Sequence, residues 1–375
     1  MVQMLGSRRL IANSSCLRYL LAVVLLMVIG LTCVGCDPAE PAPLRIGVSP
    51  WPGHAFVYLA HELGYFEEEG CEIRLLSFSS LADAQRAYFR NQLHGIYGTN
   101  VELLQACTIK GQQPCAVHIT DLSHGGDVIL ADPAIKSVSQ LRGRRVGCEP
   151  GSVSMYVLTH ALAEHGMTLD DVDLVLCDQH EQQRQYAAGE LAAVVAYPPV
   201  SHTIDHEHGA RPLYCTRHMP GQVVNLLFVQ AIAAQEREED LAGLIRAFDR
   251  AVAYAAQYPD KAAQMMAPHL LMTPESVRQF LDRELRMVTL AEQPAYLEGG
   301  LLEDALANSA ATLLSSGQLS CEVDVAACLG PGPARLAAAP PLRQPGSLAG
   351  TPTTASAAAA NNIVPANLPL TPPIP

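Results

Sequence analysis

Leu44-Arg-Ile-Gly-Val-Ser-Pro-Trp-Pro-Gly53 is a short apolar strand running into a stiff loop, and a helical pattern follows at 56–63, closed by Gly64. Two prolines and a glycine fix the loop, so the strand ends where a turn into a helix begins. The motif recurs: strand at 71–76 and helix at 81–91, then strand at 95–98 and helix at 101–110, closed by Gly111. Strands at 115–119 and 128–131 come next. The order strand, helix, strand, helix, strand then occupies 145–148, 154–165, 173–177, 181–188 and 192–196. A strong strand lies at 223–229, and from 235 to about 316 the pattern is almost wholly helical. Strands that alternate with helices predict an α/β fold with mainly parallel sheets. The alternation appears twice, before about Asp121 and after about Asp127. That predicts two lobes joined by a hinge, with a ligand in the interlobe cleft at the carboxyl ends of the strands. The expected division is 44–123 with 225–329 for the first lobe and 124–224 for the second.

Outside these lobes the chain changes character. Arg8, Arg9 and Arg18 precede an apolar run at 19–29, and Gly30-Leu-Thr-Cys-Val-Gly-Cys-Asp37 follows. A positive segment, a short apolar stretch and small residues before Cys36 have the form of an export signal. The arrangement resembles a bacterial lipoprotein signal at 1–35, with lipid added to Cys36 and a linker at 36–43; the position three before the cysteine is usually leucine and here is Cys33. Asp37 after the cysteine implies retention at the periplasmic face of the inner membrane. At the other end, 330–375 is dominated by Ala, Pro, Gly, Ser and Thr, with Arg335 and Arg343 its only charges. Such a segment buries too little apolar surface to offset chain entropy and reads as a disordered tail.

The chain is acidic: 24 Lys and Arg against 37 Asp and Glu give −13, or 21 − 37 = −16 without the three leader arginines. No basic stripe with interleaved aromatics exists, so nothing points to nucleic acid. Nine of the eleven cysteines lie at or after Cys36, and an oxidising compartment permits disulfides. Cys107/Cys115 and Cys321/Cys328 are the closest local pairs, while Cys71 and Cys177 read as small buried apolar residues. No nucleophile–base motif and no phosphate loop is present, and no cofactor is called for. His202, His206 and His208 have metal-like spacing, but they fall on a helix and read as a solvated face.

Three stretches carry a family resemblance: Arg45-Ile-Gly-Val-Ser-Pro-Trp-Pro-Gly53, Glu62-Leu-Gly-Tyr-Phe-Glu-Glu-Glu-Gly70 and Leu141-Arg-Gly-Arg-Arg-Val-Gly147. Asp121-Leu-Ser-His-Gly-Gly-Asp127, Gly151-Ser-Val-Ser154, Ala196-Tyr-Pro-Pro199 and Pro220-Gly221 add to it. Together they resemble periplasmic substrate-binding proteins of ABC importers, in the nitrate/sulfonate/taurine and thiamine-pyrimidine branch (the SsuA/THI5-like fold). The resemblance implies a type II-like, two-lobe binder that closes on a small molecule and delivers it to a permease and its ATPase. Some relatives make a thiamine pyrimidine enzymatically with a cysteine- and histidine-rich site; no matching cluster stands in this sequence, so a monomeric binder and not an enzyme is expected. His94 and Asn225 depart from the pattern, since relatives often carry acidic residues at both places.

The candidate ligand contacts lie at strand ends. Ser49 and Trp51 sit in the first loop, where a rigid aromatic can stack on a flat ligand or cover the core. Thr99 and Asn100 close a strand and open a helix, a place for a cap or a contact. Asp121, Ser123 and Asp127 flank the lobe crossing, with Gly125-Gly126 as hinge. Glu149, Ser152 and Ser154 surround a helix N-terminus, which suits an anion, a carbonyl or simple capping. Tyr197 ends a strand of the second lobe, as ligand contact or cleft wall. Almost no Lys or Arg accompanies these carboxylates, and carboxylates in a closed cleft repel an anion. The sequence therefore leans to a neutral or cationic planar nitrogen compound, such as a thiamine pyrimidine precursor. Nitrate, sulfonate or taurine binding, a ligand sensor and an enzyme on the same fold are the alternatives.

Overall fold

The computed structural model describes residues 42–339 and the strand Val364–Pro365. The leader, Cys36, most of the 36–43 linker and most of the predicted tail lie outside the described residues. The first segment carries β1 (Leu44–Val48), α1 (Phe56–Glu62), α2 (Tyr65–Glu69), β2 (Ile73–Ser77), α3 (Leu81–Phe89), β3 (Gly95–Thr99), α4 (Asn100–Cys107) and β4 (Pro114–Ser123). The second carries β5 (Val128–Ala131), β6 (Arg145–Cys148), α5 (Val153–Glu164), β7 (Asp173–Leu176), α6 (Gln179–Ala187), β8 (Ala193–Ala196), α7 (Val200–His208) and β9 (Arg211–Cys215). The chain returns through β10 (Val224–Gln230). It continues with α8 (Ala231–Glu236), α9 (Glu238–Gln257), α10 (Pro259–Leu270), α11 (Pro274–Arg283) and β11 (Leu285–Met287). The last elements are α12 (Gln293–Leu297), α13 (Leu301–Ser315), α14 (Gly332–Ala338) and the two-residue β12 (Val364–Pro365).

Two sheets form, in the orders β11-β4-β10-β3-β1-β2-β12 and β7-β6-β8-β5-β9. Both are mixed, where mainly parallel sheets were expected. β1 pairs in parallel with β2 and β3, and β6 with β7 and β8. β10 runs antiparallel to β3 and β4, and β5 antiparallel to β8 and β9. The crossover geometry explains this. β1 to β4 and β6 to β9 deliver their carboxyl ends to the cleft, while β11, antiparallel to β4, runs with β10. A strand that enters from the other lobe starts at the cleft, so β5 and β10 must run the opposite way.

Each sheet is covered on both faces, and its central strands read as continuous apolar runs. In β10, Val224 through Val229 are all buried. α9 opens with Glu238, Glu239 and Asp240, which favours a helix N-terminus, and lays Leu241, Leu244 and Phe248 into the core of the first lobe. The predicted tail begins too early. Pro333 occupies the first turn of α14, where a missing N–H costs nothing, and Ala334 and Ala337 are buried as that helix packs on α9. Just before it, the Gly330 N–H donates to the Ala116 carbonyl of β4 at 2.8 Å. Small residues allow this close approach, so low charge here reflects packing. Among the described residues no helix is long and apolar enough to cross a membrane.

Candidate functional site

Three helices begin where the sheets face each other, and each start is capped from the sequence next to it. Ser80 caps α3, accepting the Asp83 N–H at 3.2 Å. Thr99 caps α4, and Glu102 completes the capping box by accepting the Thr99 N–H at 2.9 Å and its hydroxyl at 2.5 Å. Ser152 caps α5 by accepting the Ser154 N–H at 3.2 Å.

These ends meet around a buried cavity of about 10 Å³, room for roughly one water. Ser49, Trp51, His54, Leu81 and Thr99 line it from the first lobe, with Asn225 on the returning strand; Asp127, Val153 and Tyr197 close the other side. At the mouth a larger hollow of about 490 Å³ is walled by Pro50, Phe78, His269, Tyr197 and Pro199. Tyr197 belongs to both. A ligand of several heavy atoms therefore reaches the inner site only if the lobes part.

Polar groups behind the cavity hold its walls. Asp121 is fully buried and accepts the Trp51 indole N–H at 3.1 Å, the Asn225 amide at 2.9 Å and the Thr120 hydroxyl at 2.9 Å. Gly53 is required beside it, because a Cβ there would lie 2.1 Å from the Asp121 carboxylate. Trp51 also meets Phe280 edge-on, with ring centroids 5.2 Å apart. The Ser123 hydroxyl donates to Asp127 at 2.6 Å and sits 2.8 Å from the Thr216 hydroxyl, which also accepts the Gly125 N–H at 2.7 Å. That set fixes the first crossing between the lobes. Asn100 is not a cap: its amide donates to the Gln222 carbonyl at 3.0 Å and to Ser309 at 2.8 Å, and its oxygen accepts the Val224 N–H at 3.0 Å.

The lobes are joined by a reciprocal exchange of carboxylates. Glu102 of the first lobe accepts the Val153 N–H at 2.8 Å, the first turn of α5 in the second. Tyr197 of the second lobe accepts the Leu81 N–H of α3 at 3.2 Å and donates to Glu149 at 3.1 Å. The Ser80 hydroxyl and the Ala82 N–H, at the start of α3, lie close enough to Glu149 to favour its ionised form. So a glutamate of each lobe faces the positive end of a helix in the other.

Glu102, Asp121, Asp127 and Glu149 are all buried. Burial pushes the Asp121, Asp127 and Glu149 carboxyls up to about 7, against the pull of their hydrogen bonds, and pushes Glu102 up as well. The groups repel one another: Asp121 feels Asp127, and Asp127 and Glu149 both feel Glu102. No lysine or arginine is among the residues lining the cavity. One Glu149 oxygen has no hydrogen-bond partner, and neither has either ring nitrogen of His54. Burial and the neighbouring His118 lower His54 to about 3, so it is a neutral imidazole.

Of the residues singled out in the sequence, Ser49, Trp51, Thr99, Asp127 and Tyr197 surround the cavity. Asn100, Asp121, Ser123, Glu149, Ser152 and Ser154 stand behind it as clamps, caps and charges. His54 and Glu102 escaped that reading. The Thr99-x-x-Glu102 spacing was the available signal, and it shows only the local capping box. The histidine helix α7 places His202 and His206 6.0 Å apart, whereas His208 turns to Tyr186. The close cysteine pair is Cys107 with Cys328, in place of the local pairs.

The architecture has solved counterparts. The alkanesulfonate-binding protein SsuA of Xanthomonas axonopodis pv. citri, bound to MOPS, superposes with a TM-score of 0.68 at 18% identity over 78% of this chain and 99% of that one. The periplasmic aliphatic sulphonate binding protein SsuA of Escherichia coli gives 0.65 at 17% identity over 88% and 99%. The desulfurization enzyme DSZB gives 0.59 at 17% identity over 79% and 99%. At these identities the likeness is one of fold, the two-lobe α/β fold of periplasmic binding proteins. Proteins of Brucella abortus (strain 2308) and Brucella melitensis, named as candidate binding proteins, are 25% identical over 174 residues, 46% of this chain and 53% of theirs. The chain thus spans about half the length of the curated relatives it matches. The NMT1/THI5-like family model matches residues 51–262, more than half of the 375, and the chain belongs to that family.

Proposed function

We propose that this protein is a lipid-anchored solute-binding protein of an ABC importer, held by Cys36 at the periplasmic face of the inner membrane. It captures a small planar nitrogen compound, neutral or cationic and rich in N–H donors, between its lobes. A thiamine pyrimidine precursor is the model ligand. It releases that ligand to a permease driven by an ATPase, and acts by binding rather than turnover.

The observation that carries the ligand class is the pair of crossed glutamates. Glu102 and Glu149 already face the helix starts that would otherwise attract an anion. With Asp127 at the cavity and Asp121 behind it they make the surroundings of the cleft acceptor-rich, and one Glu149 oxygen has no hydrogen-bond partner. A sulfonate placed there would meet Asp127, with the other buried carboxyls behind the cavity wall, and no cationic side chain. Trp51 and Tyr197 offer aromatic walls for a flat ring.

Thermal unfolding of the purified protein across a ligand panel tests this reading. The panel holds nitrate, taurine, alkanesulfonates and pyrimidine precursors of thiamine. A ligand at about 100 times its dissociation constant adds roughly 2.7 kcal/mol, a rise of several degrees. A rise with the pyrimidines is expected. A rise with sulfonates alone would overturn the ligand class and leave the helix starts as the recognition element.

A further inference from the structure

We propose that Cys107 and Cys328 form a disulfide that staples the C-terminal segment to helix α4. The proposal rests on the reading that the chain is exported to an oxidising compartment.

The geometry is local and specific. Cys107 is the last residue of α4, and Cys328 ends the short turn of helix Ala326–Cys328. Their sulfurs are 2.9 Å apart, although 221 positions separate them in sequence. A bonded pair sits at about 2.05 Å, so a sub-ångström adjustment closes the bridge. Cys328 is buried at 1% exposure and Cys107 is half-buried, so the finished bond would be shielded from solvent reductants. Cys115 on β4 lies close enough to feel both thiols, but its sulfur fills the space beside Gly330, where a Cβ would stand 2.8 Å from it. Cys321, the nearest partner of Cys328 in sequence, is exposed.

The segment that would be stapled matters to the cleft. Leu329 bridges to Ala116 of β4, and Gly330 bonds the same residue. Upstream, α13 touches both lobes: Ser309 holds Asn100 beside the cleft, and Gln318, just past the helix, donates to Thr159 of α5 at 2.9 Å. Both crossings between the lobes, near 123–128 and 215–224, lie inside the loop that the bridge would close. The staple therefore restricts the unfolded chain strongly, because the loop it closes includes both crossings.

Chemically, the two S–H bonds break, one S–S bond forms, and two electrons and two protons pass to a dithiol-oxidising protein disulfide, which becomes a dithiol. The exchange runs through a mixed disulfide with one of the two cysteines. The hydrogen bond with Cys328, then burial and the neighbouring sulfurs, push the Cys107 thiol well above its usual range in the folded chain. Exchange is then fastest during folding, before the pair is covered.

Two measurements on the full-length protein test the proposal. First, reduced protein is refolded in a glutathione redox buffer, and its peptides are mapped without reductant. The expected product is a linked pair containing Cys107 and Cys328, lighter by two hydrogen atoms than the separate peptides. Cys115→Ser should keep the link. Cys107→Ser should lose it and unfold several degrees lower. Linkage of Cys107 to Cys115 or of Cys321 to Cys328 in its place, or free thiols at both 107 and 328, would overturn the proposal. Second, protein made with its own leader in a Gram-negative host is alkylated before lysis and mapped. The link in the refolded sample but not in the cellular one would uphold the pairing and reject export.

Discussion

Trp51 does two jobs at once, and a single atom separates them. Its ring faces the cavity and packs edge-on against Phe280, while its N–H satisfies the buried Asp121. Trp51→Phe keeps most of the ring and removes the donor, so Asp121 relies on Asn225 and Thr120 alone. Urea unfolding should show a loss of about 1–2 kcal/mol, the cost of a weakened buried hydrogen bond. A loss near zero would mean that Asp121 is held well enough without it. Gly126 lies against that ring. A Cβ at Gly126 would fall 2.6 Å from both the Trp51 and Phe280 rings. Gly126→Ala should cost about 1–3 kcal/mol by overpacking, measured in the same way. These roles divide into a part written locally and a part that is not. Pro-Trp-Pro-Gly marks a stiff loop with an aromatic tip, which the sequence states openly. That Asp121, seventy residues on, would anchor the indole is a long-range pairing with no local pattern. Glu102 is hidden for the same reason, since a capping box looks alike whether or not its second oxygen reaches another lobe.

At the scale of elements, the helix starts facing the cleft are the parts on which the site depends. Ser152 is the clearest test, because its hydroxyl accepts the Ser154 N–H and donates to the Glu149 carbonyl at 3.0 Å. Ser152→Ala should destabilise the protein by about 1 kcal/mol, the usual worth of such a cap. Strands were legible where burial left a short apolar run: 128–131 falls on β5 to the residue, and 145–148 on β6, where Val146 through Cys148 are buried after the exposed Arg145. Three strands were silent, the two-residue β12 inside the expected tail among them. β9 begins Arg211-Pro212, is exposed at that end and lies at a sheet edge, so its apolar signal is weak. β11 has three residues inside a helical stretch and is defined by pairing with β4 alone. The antiparallel setting of β5 and β10 was not legible, because alternation with helices reports connection length and says nothing of which lobe a strand enters from.

Over the whole molecule the buried carboxyls set the response to pH. Asp121 and Asp127 rise from 3.8, and Glu149 from 4.5, to about 7 on folding. Between those limits the native state keeps protons that the unfolded chain has released, so stability falls as pH rises. The contribution is complete below the unfolded values and is lost as pH passes through about 7. Glu292 works oppositely: backbone hydrogen bonds to Thr289 and the Arg286 side chain lower it to about 2, and its support fades only in strong acid. The unfolding temperature should therefore drop by several degrees from about pH 5 to about pH 8, and Asp127→Asn or Glu149→Gln should flatten that slope. A profile that rises with pH over that range would show these carboxyls ionised and stabilised in the fold. Acidity of this kind in a cleft without lysine or arginine is also the basis of the proposed ligand class. The most direct test is isothermal titration calorimetry of the purified protein at about pH 8, where the carboxyls are mostly ionised. One titration uses an aminopyrimidine precursor of thiamine and the other ethanesulfonate. Saturable heat with the pyrimidine, weakened in Asp127→Asn, and none with the sulfonate is the expected result. Saturable heat with ethanesulfonate and none with the pyrimidine would contradict the reading that the crossed glutamates exclude anions from the cleft.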